Sequence, residues 1–207
     1  MTMVMKAANR AVPREELRRR IYEAAITIFR ERGFERATIE EVTARAGVAK
    51  GTFFNFYPSK IDVLAQYYQV IDVRIIALRA AMDPAAPEAA LAKFATEVEL
   101  ILRSEGALLL DLLRTALANA DLRDIDYASG DADETQFAAF IEAARRLGSV
   151  GRAVDPVRVA GVILDVWSGA MRRWVHAGGA PSLAAMFAEK LKVVFEGLKG
   201  RAENAPS

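Results

Sequence analysis

Cysteine is absent and histidine occurs once, at His176. Disulfides, thiolate nucleophiles and clustered Cys/His metal sites are therefore excluded. No glycine loop of the phosphate-cradling kind occurs. No apolar run reaches the roughly 20 residues that a membrane-spanning helix needs, and residues 1–12 lack the apolar core of a signal peptide. No carboxylate pair stands out, and a lone histidine near a helix end is ordinarily structural or solvated. An enzyme is thus not expected, nor a metal, cofactor or membrane partner. A chain without cysteine suits a reducing cytoplasm.

Apolar residues are plentiful, at 53% of the 207, so a substantial core is possible. Charge is nearly balanced overall but unevenly placed. Residues 1–60 hold 12 Lys/Arg against 7 Asp/Glu, whereas the remainder holds 16 against 20. A basic N-terminal third on an acidic body is the footprint of a DNA-binding head. Taken alone, the asymmetry is equally compatible with a solvated surface.

The stretch from Thr38 to Lys60 decides between these. Thr38 and Glu41 have the spacing of a capping box. Ile39, Val42 and Ala46 share one face of a helix of about two turns. Gly47 suits the left-handed residue that closes such a helix, with Val48 plugging the core beneath. A second short helix follows over roughly 49–57. Two short helices joined by a glycine turn make a helix-turn-helix, whose second helix can enter the major groove.

At these residues the sequence resembles the TetR family of bacterial transcriptional regulators. The positions of the family pattern read Thr38, Val42, Ala46-Gly47-Val48, Gly51, Phe54, Phe56-Tyr57, Lys60 and Leu64. Ile21, Ala24-Ala25, Phe29 and Gly33-Phe34 resemble the family's first helix and its exit. Three departures stand out: Ala49 replaces a capping Ser, Phe54 replaces a Tyr, and Phe56-Tyr57 reverses the usual order. The expected fold is all-α: a three-helix head over 13–58 and a ligand-binding and dimerisation body over 59–200, about nine helices in all. Residues 1–12 are expected as an arm and 201–207 as a tail.

Candidate base readers are Lys50, Thr52 and Phe53, with Asn55 at the far edge and Gly51 allowing close backbone approach. Thr38, Tyr57 and Lys60 are candidate phosphate contacts, and Arg45 suits either role. Arg14, Arg18, Arg19 and Arg20 form a basic cluster near the same end. Phe54 is expected in the core.

Helices are expected over about 59–81, 87–104, 107–119, 133–147, 155–176 and 183–199. Asp121, Asp124, Asp126 and Asp131 fall in a non-periodic stretch, 120–132, read as a solvated loop because the Ca²⁺-loop pattern is not met. The resemblance implies an effector pocket, for which Phe94, Val98, Leu109, Leu113, Phe137, Phe140, Ile141, Trp167 and Met171 are candidate walls. It also implies dimerisation through the last two helices. Gly161, Asp165, Ser168, Gly169, Arg172, Phe187, Leu191, Val194 and Leu198 are the candidates there.

The functional expectation is a homodimeric regulator, by family habit a repressor. It would leave a pseudo-palindromic operator when an apolar small molecule binds, and would act at the nucleoid. Two other readings stand beside it: a ligand- or partner-binding dimer that has lost its operator, and an enzyme.

Overall fold

The computed structural model describes the backbone of residues 13–118 and 120–200 and the side chains of residues 13–115 and 133–197. The arm and tail lie outside the described residues, as do the side chains of the acidic stretch 120–132 and of Leu198. Among the described residues there are nine helices and no strand. None is long and apolar enough to cross a membrane.

The chain divides into two units, at Leu64–Ala65. In the first, α1 (Arg14–Arg32) begins just after Pro13 and ends at Gly33, whose φ of 80° few other residues adopt. Ile21, Ala25 and Phe29 form its buried face. Next, α2 (Ile39–Ala46) starts on the Thr38–Glu41 capping box and stops at Gly47 in the left-handed conformation, φ 64°. The Glu41 N–H donates to Thr38 Oγ1 at 3.2 Å, and Glu41 Oε2 accepts the Thr38 N–H at 3.0 Å. Only five residues long, α3 (Lys50–Phe54) is shorter than the sequence suggests. The chain then turns, with the Tyr57 N–H donating to the Phe53 carbonyl.

The unit boundary lies inside α4 (Lys60–Ala80). Ser59 and Asp62 start this helix: Asp62 Oδ2 accepts the Ser59 N–H and hydroxyl, while Ser59 Oγ accepts the Ile61 N–H. In the second unit, Pro87 occupies the first turn of α5 (Pro87–Glu105). Then come α6 (Ala107–Ala118), α7 (Ala120–Arg146), α8 (Pro156–His176) and α9 (Leu183–Gly200). Asp155 caps α8 by accepting the Val157 and Arg158 N–H groups.

The loop expected over 120–132 is instead the first half of α7. Aspartates mask helix periodicity in sequence, but those near a helix N-terminus complement its dipole. The single Gly130 costs only about 1 kcal/mol relative to alanine, and no proline interrupts the segment.

Packing in the second unit runs α5 on α9, α7 on α8, α8 on α9, and α6 on α7 and α8. Phe137, Ile141, Trp174, Phe187 and Leu191 are fully buried there. Phe187 and Leu191 are therefore corrected from dimer candidates to core: α9 spends its apolar stripe on α5 and α8 of its own chain.

Candidate nucleic-acid interface

The first unit is built to hold α3 in place. Phe53 is 1% exposed and stacks at 5.8 Å on Tyr57, itself 2% exposed. Phe29 packs edge-on to Phe34 at 5.2 Å. From α1, the Arg20 guanidinium donates to the Ala46 carbonyl at 2.5 Å, so the last turn of α2 is tied to α1 where its dipole is negative.

Three expected DNA contacts are reassigned by these facts. Phe53 is an anchor in the core rather than a base reader, and its neighbour Phe54, 45% exposed, takes the outward position. In a five-residue helix one step of about 100° exchanges inside for outside, and the sequence period is too short to fix the phase. Tyr57 is a core ring with little surface for a phosphate. Lys60 turns its ammonium inward, donating to the carbonyls of Phe34, Glu35 and Ala37 at 2.9, 3.0 and 3.3 Å. All three of its N–H donors find acceptors this way, and the ammonium also sits 4.7 Å from the Phe34 ring centroid.

The outward face that remains carries Arg45, Lys50, Gly51, Phe54 and Asn55, with Thr52 half-buried beside them. A side chain at Gly51 would meet nothing within 4 Å. This face can supply a cationic donor at Lys50, hydroxyl and amide groups at Thr52 and Asn55, and an apolar ring at Phe54. Such groups read guanine edges, adenine edges and thymine methyls respectively. Sequence periodicity missed Phe54, and only its tertiary setting reveals it. Ala49 precedes α3 without a side-chain cap. Thr38 is exposed, but its hydroxyl is consumed by the capping box.

The basic cluster on α1 is also differentiated. Arg14 lies over the Phe56 ring at 5.5 Å and Arg18 over Tyr57 at 5.9 Å. Arg19 pairs with Glu16 and Glu23, which raise its pKa further. On the outward face, Arg45 pairs with Glu31 at 2.7 Å and Lys50 with Glu40 at 2.5 Å. The hydrogen bond from Lys50, then the N–H of Glu40 itself, hold the Glu40 carboxyl below the usual carboxylate value.

Among the pocket candidates, Phe94, Val98, Leu109, Phe137, Phe140 and Ile141 are buried, while Leu113, Trp167 and Met171 are half-buried. Phe94 contacts Phe137 at 5.9 Å and Trp167 at 5.7 Å, and Trp167 contacts Phe187 at 5.2 Å. Arg79, 6% exposed, caps this ring cluster. Its guanidinium lies 5.1 Å from the Phe137 centroid, pairs with Asp133 and donates to Gln136. Sequence pattern alone did not single out this residue. Of the dimer candidates, Asp165, Ser168 and Arg172 are exposed, Gly161, Gly169 and Val194 half-buried.

A capped two-helix unit joined by a left-handed glycine, with an outward polar and aromatic face on its second helix, defines a helix-turn-helix DNA-binding protein. The family model described as bacterial regulatory proteins, tetR family, matches residues 21–67. The HTH-type transcriptional repressor KstR of Mycolicibacterium smegmatis is 27% identical over 164 residues, 77% of each chain. KstR of Rhodococcus jostii is 26% identical over 200 residues, 93% of this chain and 87% of that one. The crystal structure of Thermus thermophilus FadR, a TetR-family transcriptional repressor in complex with lauroyl-CoA, aligns with a TM-score of 0.65 at 27% identity. That alignment covers 92% of this chain and 99% of FadR. The chain carries a TetR-family DNA-binding region over residues 21–67 and is similar along most of its length to the KstR and FadR repressors, which marks it as a DNA-binding transcriptional regulator.

Proposed function

We propose that the chain is a homodimeric repressor that leaves a pseudo-palindromic operator when an apolar small molecule binds its C-terminal body. The observation that carries the reading is the outward face of α3, where Lys50, Gly51, Phe54 and Asn55 are exposed on a unit fixed from behind by Phe53, Tyr57, Arg20 and Lys60. One such unit spans only a few base pairs, whereas a two-fold pair reads two half-sites one helical turn or more apart.

Several features favour α8 and α9 as the pairing surface. Asp165, Ser168 and Arg172 lie outward on α8 with Val162 at 44% exposure, and Val193 on α9 is 69% exposed. Within the chain, a Cβ at Gly161 or Gly169 would meet only ordinary contacts, at 3.8 and 3.6 Å. Neither glycine is required by its own chain's packing, so a facing helix from a second copy is the natural reason for both. The head is assigned to 13–58 and the body to 59–200. The body's Phe94, Phe137 and Trp167 rings favour an apolar or aromatic ligand; FadR of Thermus thermophilus, similar over nearly its whole length, binds lauroyl-CoA, whose acyl tail is apolar. Such a ligand acts only by preferring the conformation in which the two heads do not fit the operator. A protein with this role works in the cytoplasm, at the DNA.

A second reading, a helical dimer with lost operator recognition, is favoured by Ala49 at an uncapped helix start and by Phe54 without a hydroxyl. Selection of bound duplexes from a random DNA pool separates the two. Enrichment of a palindrome supports the repressor reading. Folded, dimeric protein that enriches nothing supports the other.

A further inference from the structure

Lys50 is the first residue of α3, and its ammonium sits 2.5 Å from the Glu40 carboxylate on α2. Both side chains are exposed, at 55% and 64%. An ammonium has three donors. One goes to Glu40 Oε1, and the remaining two suit the paired O6 and N7 acceptors of a guanine edge. Arg45 repeats the arrangement with Glu31 at 2.7 Å. Two cations of the outward face therefore each carry a carboxylate of their own.

We propose that Glu40 is a specificity-determining residue, which holds Lys50 in its base-reading position and withholds it from the phosphates of unrelated DNA. The inference rests on the DNA-binding reading above. In a complex with unrelated DNA, a lysine gains most from swinging to a phosphate, because counterions are then released. A swing of the ammonium away from α2 toward a phosphate costs Lys50 its hydrogen bond to Glu40. At an operator it keeps Glu40 and donates its other protons to bases. Exposed pairs of this kind are weak, so Glu40 biases the choice of Lys50 without blocking DNA. Its own negative charge adds a repulsion toward backbone phosphates, felt within a Debye length of about 8 Å at physiological salt.

The test compares native protein, Glu40→Gln, Lys50→Ala and the double variant on the selected operator and on an unrelated duplex of equal length. At 0.15 M salt, Glu40→Gln binds the unrelated duplex about fivefold tighter and the operator less than about twofold tighter, so the specificity ratio falls. In the Lys50→Ala background the same substitution leaves the ratio unchanged, as a double-mutant cycle requires of a coupled pair. The expected change is a gain in affinity, which loss of fold cannot produce. An unchanged ratio in Glu40→Gln overturns the inference, as does an equal fall in the Lys50→Ala background, which would mark simple removal of charge. Native protein with no preference for any duplex removes the DNA-binding reading, and the inference with it.

Discussion

Glu99 on α5 caps the distant helix α9: its carboxylate accepts the hydroxyl of Ser182, 83 residues later, and the Ala184 N–H, each at 2.8 Å. Arg103 donates to the other oxygen at 2.8 Å, and Ser182 in turn accepts the Ala185 N–H. The first turn of α9, whose free N–H groups need acceptors, is thus satisfied partly from another helix. Burial opposes the charge on Glu99, yet the donors from Ala184, Arg103 and Ser182 hold its carboxyl below the ordinary value. A carboxyl depressed in the folded state contributes stability above its unfolded pKa, near 4.3, and loses it as pH falls through the folded value. Glu99→Gln is expected to lower stability by about 1–3 kcal/mol at pH 7. It should also flatten the acid limb of the stability profile below about pH 5, read by urea unfolding across pH.

The turn between α2 and α3 rests on local chemistry. Thr38→Ala removes one half of the capping box and is expected to cost about 1 kcal/mol. Gly47→Ala places a Cβ at φ 64° and 3.1 Å from the Arg20 guanidinium, for about 1–2 kcal/mol from the backbone alone. Urea unfolding of both variants measures this, and operator affinity at fixed salt shows whether α3 shifts with the turn.

Lys60 distinguishes a structural cation from a phosphate contact. Lys60→Met is expected to cost about 2 kcal/mol, since three carbonyls lose a charged donor. The salt slope of operator binding should stay unchanged, whereas loss of a phosphate contact would reduce it by about 0.9.

Arg79 is a buried cation whose removal takes one partner from Asp133 and uncovers the Phe94 and Phe137 rings. Arg79→Ala is expected to cost about 2–3 kcal/mol, from the lost charge-assisted hydrogen bonds and the lost cover over the rings. Thermal and urea unfolding measure the loss.

What was legible in the sequence was chiefly local. The Thr38–Glu41 box, Gly47 after Ala46, Ser59 with Asp62, Pro87 in a first turn and Asp155 before Pro156 each place a helix end through residues within four of one another. The family resemblance added the helix-turn-helix head and helical body. Positions whose fate depends on a third element were not legible. Phe53 and Phe54 exchanged places because α3 is too short to declare its inner face. Lys60 looked like a phosphate contact until the carbonyls after α1 came within reach. Phe187 and Leu191 form an apolar stripe that sequence cannot allot to its own chain or to a twin. The aspartates of 120–132 hid a helix whose second half was plain.

The most direct measurement is a fluorescence-anisotropy titration of the selected palindromic duplex with native protein and with Lys50→Ala/Thr52→Ala, over a range of salt. Two chains are expected to bind each duplex, with an affinity that falls steeply with salt. The double variant should lose most preference for the palindrome while retaining its fold. Equal binding of the palindrome and an unrelated duplex by native protein, or a double variant that keeps the preference, would contradict the assignment of the α3 face as the reader of DNA.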